Sequence, residues 1–208
     1  IISDQIDISA EWYFANAGVL SGALFYKDIS DQLGSDLIFV TVPGFGDQVF
    51  QITTSTNRND ASVTGMELGY NQAFDFLPGP FDGLGAIVNV TYADGEFDSG
   101  EPLIGLSELS YNLIGYYERG PFQARVAYNY RDEAAFDTSA RPDFVDEVAN
   151  LDLQASYDLN DNLTLSFKAI NLLPEESATV EYRAPSTTLL NSYALSERRY
   201  FFGIRGRF

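Results

Sequence analysis

The sequence predicts an all-β chain of antiparallel strands, each with one apolar and one polar face. Three observations predict it: apolar and polar residues alternate along nearly every segment, the connections alternate between short and long, and the composition excludes most other classes. Period two over eight or more residues is a strand pattern, because successive side chains leave opposite faces of the pleat. Helical spacing fits none of these segments.

Nine strands follow in order. In the first, 3–14, Ile6, Ile8, Ala10, Trp12 and Phe14 share one parity and Gln5, Asp7, Ser9 and Glu11 the other. The second, 18–28, carries Lys27 on its polar side. The third, 48–74, reads as one long bulged strand, the alternative being two strands broken at Asn57-Arg58-Asn59-Asp60. The fourth and fifth are 84–95 and 107–118. In the sixth, 121–131, Phe122, Ala124, Val126, Tyr128 and Tyr130 oppose Gln123, Arg125, Asn129 and Arg131. In the seventh, 148–158, Leu151, Leu153, Ala155 and Tyr157 oppose Asn150, Asp152, Gln154 and Ser156. In the eighth, 162–171, Leu163, Leu165, Phe167 and Ala169 oppose Asn162, Thr164, Ser166 and Lys168. The ninth is 195–208, where counting back by twos from Phe208 gives Gly206, Ile204, Phe202 and Tyr200.

The short connections are Ala15–Gly18, Glu118–Pro121 and Asp158–Asp161, with Asp75–Gly83 somewhat longer; the long ones are 29–47, 96–106, 132–147 and 172–194. A soluble sandwich has no reason to collect every short turn at one end. Transmembrane β-barrels of the outer membrane do, with short periplasmic turns and long extracellular loops. Splitting the third strand would break that regular alternation, which is why a single protruding strand is preferred. Face chemistry agrees: the apolar parity holds no charge within any strand core, where Arg or Lys would cost about 2–4 kcal/mol at the bilayer midplane. The opposite parity carries Glu11, Lys27, Glu67, Arg125, Asp152 and Lys168, as a water-filled or plugged lumen requires. Trp12, Phe14, Phe74, Tyr117, Tyr128, Tyr130, Tyr157 and Tyr200 lie near strand ends, where amphipathic rings settle at headgroup level.

Composition removes the competing functions. Of 208 residues, 12 are Lys or Arg and 30 Asp or Glu, a net charge of −18 that disfavours nucleic acid. Cys and His are both absent, which excludes disulfides, thiolate or imidazole metal sites, Cys nucleophiles and Ser-His-Asp triads. No cofactor is expected. Sixteen Phe and 13 Tyr are too many for a disordered acidic tail. No apolar run exceeds four residues, so no transmembrane helix is expected, and IISDQIDISAEWYF has neither the basic nor the apolar region of a leader.

Several stretches resemble the C-terminal barrel region of TonB-dependent receptors. These are GMELGYNQAFDFLPGPFDGLGAIVNVTYADGEF (65–97), SYNLIGYYERGPFQARVAYNYRDE (110–133), LDLQASYDLNDNLTLSFKAINLL (151–173) and the closing RRYFFGIRGRF. The likeness is greatest to the group found in Caulobacter- and Xanthomonas-type proteobacteria, many of which import oligosaccharides. The resemblance implies a barrel of about 22 strands around an N-terminal plug, coupled to TonB through a periplasm-facing segment. It also implies a place in the Gram-negative outer membrane, against lipid. Nine strands cannot supply such a barrel, so residues 1–208 read as its C-terminal portion, with plug and earlier strands elsewhere. The terminal aromatic strand, Tyr200, Phe202, Ile204 and Phe208, resembles the signal that engages the barrel assembly machinery.

The resemblance makes the chain a transporter rather than an enzyme, with an oligosaccharide as the expected cargo. The alternatives are a siderophore or vitamin receptor of the same family, or a small self-contained barrel acting as anchor or adhesin. Lumenal Glu67, Arg125, Arg131, Asp152, Lys168, Arg199, Arg205 and Arg207 are expected to face plug or ligand. Loop aromatics Phe39, Phe45, Phe97, Phe136, Phe144, Tyr182 and Tyr193 are candidates for substrate contact, since sugar rings stack on aromatic planes while their hydroxyls seek carboxylates and amides. Loop-to-loop packing is the competing role for these rings. The loops are acidic (Asp28, Asp31, Asp36, Asp47; Asp94, Glu96, Asp98, Glu101; Asp132, Glu133, Asp137, Asp143, Asp146, Glu147), without calcium-loop spacing, which suits a neutral or cationic ligand better than an anionic one. Gly79-Pro80-Phe81-Asp82-Gly83-Leu84-Gly85 reads as a turn, because no helix or Lys follows to make a phosphate cradle.

Overall fold

The computed structural model describes residues 1–31, 33–57, 60–136, 143–173, 180–184, 187–192 and 194–207. In chain order the strands are β1 (Ile2–Ala15), β2 (Gly18–Ser30), β3 (Leu33–Thr41), β4 (Val49–Asn57), β5 (Ala61–Ala73), β6 (Leu84–Phe97), β7 (Leu109–Arg119) and β8 (Phe122–Arg131). They continue as β9 (Ala134–Ala135), β10 (Asp143–Val145), β11 (Val148–Asn160), β12 (Leu163–Ile170), β13 (Val180–Ala184), β14 (Thr187–Ser192) and β15 (Arg199–Gly206). Nine of them form one antiparallel sheet in the order β1-β2-β5-β6-β7-β8-β11-β12-β15. The chain is all-β, and each expected strand has its counterpart in this meander.

One expectation is corrected. Residues 48–74 are not a single bulged strand. The segment divides into β4 and β5, and β4 turns away to pair with β3 along Leu33↔Asn57 to Thr41↔Val49. β5 begins afresh at Ala61, opposite Ile29 of β2. The alternation of connections survives because the whole β3–β4 hairpin lies within one long connection. Both readings satisfy the same period, and only the pairing partner separates them. The ninth strand is also shorter than its expected 195–208, opening at Arg199.

The register carries the two faces across the sheet. One row runs Trp12, Leu20, Tyr70, Val88, Leu113, Tyr128, Leu151 over seven strands, and another closes the sheet with Phe167 opposite Phe202. Many side chains on this face are open to their surroundings, among them Ile8 at 68% exposure, Leu24 at 61% and Phe202 at 83%. In water such a continuous apolar surface would drive aggregation; against hydrocarbon it is at no disadvantage. Aromatic pairs flank it. Trp12–Phe14 (5.7 Å), Phe14–Tyr70 (6.1 Å) and Tyr117–Phe122 (5.9 Å) lie toward the short-turn end. Tyr111–Tyr130 (4.8 Å) and Tyr111–Tyr128 (5.9 Å) lie toward the long-loop end. From Phe122 to Tyr130 is about 27 Å along the strand at about 3.4 Å per residue, or roughly 20 Å in height at a tilt near 40°. That height approaches the apolar band of an outer membrane.

On the inner face two aromatic rings occupy the space above glycines of the next strand. A Cβ at Gly65 would come within 2.3 Å of the Phe25 ring, and one at Gly85 within 2.1 Å of Tyr116. At the short-turn end Arg119 pairs with Asp82 at 3.0 Å, and the Tyr117 hydroxyl donates to the Pro80 carbonyl at 2.9 Å, tying the β5–β6 turn to β7.

Candidate functional site

The polar parity forms one face of the sheet, and the β6–β7 connection closes over one end of it. Glu67 faces Thr91 and Ala23; Arg125 faces Gln154 and Tyr116; Arg131 faces Ser110 and Val148. Asp152 lies opposite Ala127, Lys168 opposite Gln154 and Phe201, Arg199 opposite Ile170, and Arg205 opposite Thr164. These seven expected lumenal residues therefore share one face. Asp152 has a local duty there: its Oδ1 accepts the backbone N–H of Asn171 at 2.9 Å. Asn171 adopts a positive φ of 56° just beyond β12, and its Nδ2 donates to Ser196 Oγ at 2.7 Å. Arg207, past the end of β15, joins Arg205, Gln154, Asp158 and Asn162 around a polar recess of about 550 Å³ at the short-turn end.

At the long-loop end the wall is apolar because the β6–β7 connection folds back over it. Leu103 and Leu106 pack upon Ala61, Val63, Ala93 and Phe97, with Phe25 and Ile29 against the same cluster. Backbone bonds hold the connection down: Phe97 N–H to Glu101 O (2.9 Å), Asp98 N–H to Asp60 O (2.9 Å) and Gly105 N–H to Ala135 O (2.8 Å). The Ser107 hydroxyl adds a bond to Asp132 O at 2.9 Å. Beside the cluster lies a recess of about 220 Å³, lined by Leu103, Leu106, Ala134 and Phe144 together with Glu108, Asp132 and Glu133. Beyond it, β9, β10, β13 and β14 form a second, four-stranded sheet.

The loop aromatics are distributed rather than gathered. Phe39 (70% exposed) and Phe45 (63%) stand on the β3–β4 hairpin, with Phe45 edge-on to Phe50 at 5.5 Å. Phe136 is 62% exposed just after β9. Phe144 in β10 is half-buried opposite Ala135, and Tyr182 in β13 pairs with Asp143. Phe97 is only 2% exposed and packs within the mouth cluster. The parity of β6 foreshadows this: Phe97 falls on the same side as Asn89, Thr91 and Ala93, and that side is covered where the loop returns. Tyr193 and Phe208 lie outside the described residues. Tyr200, Phe202 and Ile204 line the outer face of β15, the last strand of the sheet. Among the described residues no three Asp or Glu groups converge to hold a metal ion.

A meander with a lipid-compatible outer face, a charged inner face and loops gathered at one end has the chemistry of a membrane-spanning β-barrel. The family follows from the sequence itself: residues 1–172 match the TonB-dependent receptor-like β-barrel family, and the chain belongs to it. No curated protein is similar in sequence. Solved structures of the same fold include the copper transporter OprC (TM-score 0.68, 17% identity), the match covering 99% of this chain and 32% of that one. The ferric yersiniabactin uptake receptor FyuA from Yersinia pestis (TM-score 0.66, 17% identity) matches 97% of this chain and 29% of its own. The FrpB iron transporter from Neisseria meningitidis, F3-3 variant (TM-score 0.62, 16% identity), matches 99% and 30%. The chain thus spans about a third of the proteins it resembles in fold.

Proposed function

We propose that this chain is the C-terminal part of the barrel of a Gram-negative outer-membrane receptor that imports a nutrient by TonB-coupled transport, and that the nutrient is an oligosaccharide. The observation that carries the reading is the division of labour between faces. The apolar face suits lipid, the polar wall suits a plug and a hydrated passenger, and the long-loop end becomes extracellular. Support for a sugar comes from that end, where exposed Phe39, Phe45 and Phe136 offer flat apolar faces among acidic neighbours. In this reading the outward Tyr200, Phe202 and Ile204 engage the barrel assembly machinery, and TonB acts through the plug.

A second reading is favoured by the acidic rim of the 220 Å³ recess, where Glu108, Asp132 and Glu133 suit a cationic cargo. Fold relatives named as copper and iron transporters make a metal complex the natural candidate. Uptake of labelled oligosaccharides by cells carrying the full-length receptor decides between them. Saturable uptake abolished by collapsing the proton gradient is the expected result. Uptake of metal complexes with none of any oligosaccharide would overturn the sugar reading.

A further inference from the structure

The register brings together four asparagines far apart in sequence. Asn89 of β6 pairs with Asn112 of β7, Asn112 with Asn129 of β8, and Asn129 with Asn150 of β11. All four lie on the inner face, one per strand, so at about 4.8 Å between strands the row is roughly 14 Å long. The row continues on its other side through Gly69, Ser21 and Glu11. There it opens into a recess of about 240 Å³, floored by Gly69 and Ser21 and bordered by Glu11, Glu67, Asn89 and Thr91. We propose that this row of carboxamides and its terminal recess form a binding track for a neutral, hydroxyl-rich ligand, each amide meeting one sugar unit. The inference rests on the oligosaccharide reading and locates the cargo on the wall, below the loop aromatics.

The argument is one of matched hydrogen-bonding capacity. Each carboxamide offers two N–H donors and a carbonyl acceptor, whereas a carboxylate only accepts and a guanidinium only donates. The Asn112 Nδ2 donates to Asn129 Oδ1, which aligns the two amides and leaves further donors and acceptors for a ligand. Asn89 and Asn129 are exposed to the lumen, and Asn112 and Asn150 half-buried. A sugar hydroxyl both donates and accepts, so it is matched by such groups. An apolar ligand would strip water from the amides without replacing it, which is unfavourable. The row itself holds no cation; Arg131 stands one row nearer the mouth, between Ser110 and Val148. Interstrand spacing comparable to the length of one hexose lets successive units meet successive amides.

The test measures binding of short malto-, cello- and xylo-oligosaccharides to the full-length receptor by calorimetry. Asn112→Leu and Asn129→Leu keep side-chain size while removing the amide, and each is expected to weaken affinity about ten-fold. Asn129→Gln is expected to restore most of it. Heat-modifiable mobility on gels reports whether each variant is folded, and Thr91→Val at the recess replaces any variant that is not. Wild-type affinity in folded Leu variants would overturn the track while leaving sugar transport standing. Lowered thermal stability with unchanged affinity would overturn it too, marking the row as a dock for another part of the same protein. Failure of the unaltered receptor to bind any of the sugars would remove the functional reading first and the track with it.

Discussion

Leu68→Arg is the substitution that most directly probes the orientation of the sheet. Leu68 is 52% exposed on the apolar face and pairs with Gly22 and Val90. From Leu68 to Ala73, the end of β5 at the short turn, is about 17 Å along the strand, or about 13 Å in height at a 40° tilt. That is half of an apolar band roughly 25 Å tall, so the substituted guanidinium sits near the bilayer midplane, where it costs about 2–4 kcal/mol. The folding equilibrium should fall by roughly 30- to 900-fold. Thr91→Arg is the matched control. Thr91 lies on the inner wall directly opposite Glu67, so an arginine there gains a cross-strand ion pair worth about 0.2–1 kcal/mol. Urea unfolding of the full-length receptor in lipid vesicles, followed by tryptophan fluorescence, compares the two midpoints. The reasoning is refuted if Leu68→Arg is tolerated as well as Thr91→Arg, or if the order is reversed, because the faces would then be wrongly assigned.

Two further substitutions test the inner wall. Gly85→Ala puts a methyl group into the Tyr116 ring and should destabilise by about 1–3 kcal/mol; Tyr116→Ala in the same molecule should recover much of that loss. Additive effects in the double variant would show that the ring does not lie where described. Phe97→Ala removes the buried ring of the mouth cluster and should cost about 3 kcal/mol locally. Its signature is faster proteolysis or hydrogen exchange in residues 98–108. A selective loss of ligand affinity with the loop still protected would instead return Phe97 to the binding surface.

Much of the architecture was legible in the sequence because it is local. Alternation within a strand needs only neighbours two apart, so the parity of Ile8, Val126 or Leu153, and of Glu67, Arg125 or Lys168, could be read without a partner strand. Turn positions such as Glu118–Pro121 were equally local. The third strand failed for the same reason. Period two in 48–74 is satisfied by one strand or by two, and the choice depends on whether β3 offers a better edge than β2 at those residues. That Glu67, Arg125, Arg131, Asp152, Lys168, Arg199 and Arg205 share one face was readable from parity, whereas the exposure of a loop ring was not, since it depends on what folds over it.

Alternation along the chain alone determined that this is a two-faced β-sheet, which face tolerates lipid, and where its short turns fall. Only the tertiary structure decided which residues meet across strands. It placed Asn89, Asn112, Asn129 and Asn150 in one row, buried Phe97 beneath Leu103 and Leu106, and set the β3–β4 hairpin apart from the main sheet. The reason is physical: register and loop closure are fixed by contacts between residues far apart in the chain, and a repeat of two carries no record of its partner.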